Sequence, residues 1–157
     1  TSSAQGTDLW LAGGANITPA TGLVSLSVVA NRSVGTGTCQ WGRENGANNR
    51  LIATSAVGNT WTLIGGTSGS FASGAAAAAT WHASQAVVSG ASSIVNIDAG
   101  TDATGTATGN TTAGAPAILG AASSTCNQVE LIIWDNYTVP AAQRLYLGAN
   151  QRTQWGF

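Results

Sequence analysis

Residues 129–157, VELIIWDNYTVPAAQRLYLGANQRTQWGF, read as one buried strand, a polar turn, a helix and an aromatic close. Alternation sets Val129, Leu131 and Ile133 on one face and Glu130, Ile132 and Trp134 on the other. Both faces carry apolar side chains, so both are expected to be covered. Asp135, Asn136 and Tyr137 turn the chain, Pro140 brings the φ of a first helical turn, and Thr138 is a candidate N-cap. A helix is expected over 141–151. Leu145, Ala149 and Arg152 share one face of it, and Trp155 follows closely enough to anchor the terminus. Gly148 weakens that helix by about 1 kcal/mol relative to alanine, so tertiary packing has to hold it.

Upstream, short apolar runs are divided by Gly, Ser, Thr and Asn turns. Strands are expected near 8–12, 24–30, 38–43, 50–55, 60–64, 80–88, 93–98, 104–108, 117–120 and 128–134, a spacing that predicts an all-β sandwich. Gly58, Gly65, Gly66, Gly90 and Gly100 stand in the turns, where a positive φ suits a hairpin. The stretch 101–115 is biased to Thr, Gly and Ala, and no composition break divides the chain. One domain over 1–157 is expected, long enough to bury a core without metal or many disulfides.

Charged residues make up 7% of the chain, against about 25% in an average soluble domain. Hydroxyls, amides and backbone must therefore supply most of the solubility. All five cations are arginine and the formal net charge is −1, which builds no clustered positive field for nucleic acid or an anionic membrane. No stretch approaches the roughly 18–20 consecutive apolar residues of a membrane span. The first residues show no basic region followed by an apolar run, so no signal peptide is expected in them. Methionine is absent, leaving open whether Thr1 follows removal of an initiator or a cut from a longer chain.

Several short motifs, in order, resemble laminin G-like domains of the concanavalin A-like superfamily. Asp8-Leu9-Trp10-Leu11 is similar to their opening LWLDA strand, and Asn48-Asn49-Arg50-Leu51 to an N-R-L strand start. Trp81-His82 is similar to a WH strand start, and residues 95–100, VNIDAG, to a hairpin of the form V-D-G. Glu130, Asp135, Ala142, Gln143, Arg144, Trp155 and Gly156 match the closing strand, helix and WG ending. The resemblance implies a jelly-roll sandwich of two antiparallel sheets with one short C-terminal helix. It also sets Cys39 and Cys126 at strand ends. A disulfide between them would contribute about 4 kcal/mol, and two buried thiols remain the alternative.

The chemistry of an enzyme is thin. Jelly-roll glycosidases carry Glu-x-Asp-x-x-Glu on one strand, and Asp8, Glu44, Asp98, Asp102, Glu130 and Asp135 form no such run. Glu130, between Val129 and Leu131, is expected to accept hydrogen bonds from the chain or an arginine. His82 is the single histidine, which excludes a multi-histidine zinc site, and no Gly-x-Ser-x-Gly elbow is present. His82 is expected to be a strand residue with no catalytic role, and the chain is not expected to be an enzyme.

No cofactor is expected. Some laminin G-like domains bind calcium at a loop rim, and Asp98, Asp102 and Asn96 are the weak candidates for that role. Asn16, Asn31, Asn110 and Asn136 match the N-x-Ser/Thr pattern, which an Asn- and Thr-rich chain generates by chance.

The main functional expectation is a non-catalytic structural or adhesion protein. The resemblance and the Ser/Thr/Gly-rich, lysine-free composition point to a phage virion surface component: a capsid decoration protein, head fibre or tail-fibre domain. Its partners would be other virion or surface proteins, itself in a homo-oligomer, or a cell-surface glycan. Its place would be the virion surface or the extracellular space. The alternative is a carbohydrate-binding module. Trp41 and Trp61, beside Gly-rich turns, would stack on sugar while Arg43 and Asn59 donate hydrogen bonds.

Overall fold

The computed structural model describes residues 2–3, 8–10, 23–32, 39–44, 52–54, 60–64, 70–75, 79–107, 115–120, 126–135 and 137–157; side chains are described for 23–31, 60–63, 79–107, 127, 129–134 and 137–157. Twelve strands and one helix follow in order: β1 Ser2–Ser3, β2 Asp8–Trp10, β3 Val24–Arg32, β4 Cys39–Glu44, β5 Ile52–Thr54, β6 Thr60–Ile64, β7 Ser70–Ala75, β8 Trp81–Val88, β9 Gly90–Ile97, β10 Ala103–Ala107, β11 Ala115–Gly120, β12 Cys126–Asp135 and α1 Ala141–Trp155. They form two six-stranded sheets, β1-β12-β3-β8-β9-β10 and β2-β11-β4-β5-β6-β7. Every strand pair is antiparallel. The expected all-β sandwich with a single C-terminal helix is the architecture observed.

Alternation along β3 explains how the first sheet is used. Val24, Leu26, Val28 and Ala30 point to the second sheet and join Ala86, Val88, Val95 and Ala107 with Trp61 and Leu63 from β6 in one core. Ser25 and Ser27, between them, point the other way and are nonetheless buried. What buries them is the helix. The outer face of this sheet mixes Ser25, Ser27 and Gln85 with apolar Val29, Ala83 and Val87, and α1 is its cover.

In β12, Leu131 and Ile133 pack against the core as expected. Val129 does not, and is 41% exposed. The register slips between Gln128 and Glu130, so the extra residue of the bulge leaves the alternation that a regular strand would have imposed. β7 and the two-residue β1 were not expected from the sequence. Ser70–Ala75 is an edge strand in which Phe71 is the one large apolar residue, and such a segment carries no alternating apolar signal.

The helix differs from expectation in three respects. It runs to Trp155, four residues further than expected. Its N-cap is Pro140 (ψ 151°) with no side-chain cap bond, so Thr138 does not cap it. Its buried face is Arg144, Gly148 and Gln151, whereas Leu145, Ala149 and Arg152 are exposed. Polar groups set among Val29, Ala83 and Val87 on the face beneath hold the buried side chains: Gln151 bonds Ser27 and Gln85, and Arg144 pairs with Asp102. Gly156 then ends it in the left-handed conformation (φ 75°), with its own amide and that of Phe157 donating to the Arg152 carbonyl.

Candidate functional site

Two polar constellations lie on the first sheet. The larger sits between α1 and the sheet. Gln151 Nε2 donates to Ser27 Oγ at 2.9 Å and to Glu130 Oε1 at 2.8 Å, and its Oε1 accepts from Gln85 Nε2 at 2.9 Å. Trp155 Nε1 donates to the other Glu130 oxygen at 3.1 Å. A continuous row therefore joins Gln85 on β8, Ser27 on β3, Glu130 on β12 and the last turn of the helix. The expectation that Glu130 accepts hydrogen bonds from the chain holds; the donors are an amide and an indole. At the other end, Arg144, only 2% exposed at its side chain, pairs through Nη2 with Asp102. Asn96 Nδ2 donates to Asp102 Oδ1 at 2.8 Å and to the Gly100 carbonyl at 2.6 Å.

Gly148 lets the helix approach this closely. A Cβ there would stand 2.8 Å from Gln85 Oε1. Ser25 secures the segment leading into the helix, its hydroxyl donating to the Tyr137 carbonyl and accepting from the Val139 amide, both at 2.9 Å.

The second constellation stands at the start of β8. His82 Nδ1 meets Asp98 Oδ2 at 2.7 Å, and His82 Nε2 meets Thr80 Oγ1 at 2.8 Å. Asp98 Oδ1 accepts the Ala83 amide at 2.9 Å. With a neutral imidazole the carboxylate holds the proton on Nδ1, so Nε2 accepts from the threonine hydroxyl. Burial raises the Asp98 pKa, but the hydrogen bonds from His82 and the Ala83 amide, with the charges of His82 and Arg152, outweigh it and hold the carboxyl below its ordinary value. Three non-glycine residues here adopt positive φ: Ala79 (62°), Asp98 (56°) and Ala99 (56°). Each costs on the order of 1 kcal/mol. The positive φ expected at Gly100 thus falls on the two residues before it, and the turn closes by Gly100 N donating to Ile97 O at 2.9 Å. At Gly90 (φ 58°) the expectation holds.

Asn96, Asp98 and Asp102, the calcium candidates, are neighbours in this region but do not converge. Asp98 turns to His82, Asp102 to Arg144, and Asn96 presents its amide donors. That donor set does not fit a calcium ion, which needs oxygens facing inward. Among the described residues no group of three His, Cys, Asp or Glu side chains could hold a metal. No described helix is long and apolar enough to cross a membrane.

Of the sugar-stacking candidates, Trp61 is 3% exposed, packed in the core with its ring edge-on to His82 at 5.9 Å, and offers no face to a ligand. Burial of so large an apolar ring outweighed its neighbourhood of turn residues. Trp41 pairs in register with Ile52 and Ile118; its side chain, those of Arg43, Cys39 and Cys126, and all of Asn59 lie outside the described residues. Trp155, expected only as an anchor, is both anchored and 44% exposed. The signal for it was present. Outward-facing serines in β3 call for a polar helix face, and Arg144, Gly148 and Gln151 supply one at i, i+4, i+7, which places Trp155 at its rim.

No protein-family model and no curated protein sequence matches this chain. Solved structures do. Trypanosoma rangeli sialidase in complex with sialic acid matches 92% of this chain over 27% of its own length, with 12% identity and a TM-score of 0.56. The binding domain of Botulinum Neurotoxin DC in complex with SialylT matches 82% of this chain over 35% of its own, with 7% identity and a TM-score of 0.56. The chain thus spans about a third or less of these relatives. At such identities the likeness is one of fold: the chain belongs to the β-sandwich architectures. The similarity to laminin G-like domains rests on the sequence motifs alone.

Proposed function

We propose that this chain is a carbohydrate-binding domain that works by surface contact and not by catalysis. The observation that carries the reading is the two-sheet sandwich itself, the architecture it has in common with a toxin binding domain solved with SialylT and with a sialidase solved with sialic acid. Composition supports it. Sugars are recognised by hydroxyls, amides and aromatic faces more than by charge fields, and this chain is poor in charge and rich in the rest.

Binding is favoured over hydrolysis because the described carboxylates are committed elsewhere. Glu130 serves Gln151 and Trp155, Asp98 serves His82, and Asp102 serves Arg144 and Asn96. A glycosidase needs two carboxyls facing one another across the scissile bond. Trp41 and Arg43, on β4 of the second sheet, and Asn59 stay in the proposal as sugar contacts. The partner would be a cell-surface glycan, met outside the cell. The virion-surface reading, laminin G-like in family, rests on composition and motif resemblance and takes second place.

A glycan array probed with the intact chain tests this. Saturable binding to a defined group of glycans is the expected result. A blank array, or turnover of a glycoside, would overturn it.

A further inference from the structure

Trp155 and Glu130 are disposed as no other described pair is. The indole is 44% exposed, yet it does not swing freely, because Nε1 donates to Glu130 Oε2 at 3.1 Å. Glu130 is itself held through Oε1 by Gln151 Nε2 at 2.8 Å, and Gln151 is buried and tied to Ser27 and Gln85. An exposed indole held in a fixed orientation suits stacking on a sugar, since the ordering entropy has been met before the ligand arrives. Val129, the exposed bulge residue, adjoins Glu130 in the chain.

The charges select among sugars. A carboxylate has about four acceptor positions. Two of them on Glu130 are taken, which leaves acceptor capacity on a partly buried group beside the ring. The C-terminal end of α1, with its partial negative charge, closes on the same residue. Arg152, the nearby cation, is turned the other way, its Nη1 donating to the Asp98 carbonyl at 3.2 Å. The surroundings of the ring therefore accept hydroxyl protons and repel an anion.

We propose that Trp155 and Glu130 form a subsite for a neutral pyranose, whose C–H face stacks on the indole and whose hydroxyls donate to the carboxylate. This rests on the carbohydrate-binding reading and narrows it to uncharged sugars.

The test is calorimetric titration of the intact chain with lactose, cellobiose and maltose as neutral probes and 3′-sialyllactose as the anionic one. Melting curves accompany each variant. At least one neutral disaccharide is expected to bind, and to shift the indole N–H resonance that Trp155→Phe removes from the NMR spectrum. Trp155→Ala should weaken binding about tenfold and Trp155→Phe no more than about threefold. Glu130→Gln should narrow the preference for lactose over sialyllactose. If Trp155→Ala does not fold, the phenylalanine variant and the resonance shift decide. Unchanged affinity in folded Trp155→Ala, an unmoved resonance, or equal or tighter binding of sialyllactose would overturn the subsite while leaving carbohydrate binding intact. Silence from all four probes together with a blank array would instead remove the carbohydrate reading itself.

Discussion

Replacing Gly148 with alanine should destabilise this protein, although the same change in an ordinary helix interior stabilises. Alanine gains about 1 kcal/mol over glycine in helix propensity, because glycine loses more backbone freedom on folding. Against that, the new Cβ would lie 2.8 Å from Gln85 Oε1 and 3.2 Å from both Cδ and Nε2. Something must move. Gln85 is 1% exposed and its Nε2 donates to Gln151 Oε1, so displacing it strands a buried donor and loosens the row that reaches Glu130 and Trp155. A lost buried hydrogen bond costs about 1–3 kcal/mol and overpacking a further 1–3 kcal/mol. The net expectation is a loss of about 1–5 kcal/mol, seen as a lower urea midpoint or a melting temperature reduced by about 2–20 °C. Gln85→Ala supplies the control, since with the amide removed Gly148→Ala should become neutral or stabilising. A stabilised Gly148→Ala single variant, or the same cost in both backgrounds, would refute the argument that the helix approaches β8 through this glycine.

Three further outcomes follow from the same contacts. Asp98, held below its ordinary value, contributes stability above the unfolded pKa of 3.8 and loses it as pH falls through the folded value. Asp98→Asn should therefore be less stable than wild type at pH 7 and show a smaller loss between about pH 5 and pH 3 by thermal melting. Asp102→Ala leaves Arg144 buried without its carboxylate and should cost about 3 kcal/mol in urea unfolding, part of which Arg144→Met in the same chain should restore. Trp61→Ala should cost about 3–5 kcal/mol, because the ring fills the core between the sheets, and a mild effect on folding with a large one on glycan binding would contradict its burial.

The sequence by itself determined the class of fold. Among the described residues, ten of the twelve strands fall in the short runs between turn residues where strands are expected, and β3 adds alternation: Val24, Leu26 and Val28 alternate with Ser25 and Ser27, so one face must be dry. The terminal helix was legible for the converse reason, a run of good helix formers after Pro140. Edge strand β7 was not, since a single large apolar residue, Phe71, makes no pattern.

What the candidate site is made of was decided only by tertiary structure. Leu145 and Ala149 mark the more apolar side of the helix in isolation, yet it buries Arg144, Gly148 and Gln151, because Ser27, Gln85 and Asp102 offer these side chains hydrogen-bond partners. Likewise Trp61 and Trp155 are the same residue type; one is a core residue and the other a hydrogen-bonded, exposed ring. Which it becomes depends on strands and a helix distant in the chain, since burial and hydrogen-bond satisfaction are properties of surfaces in contact and local patterning cannot specify them.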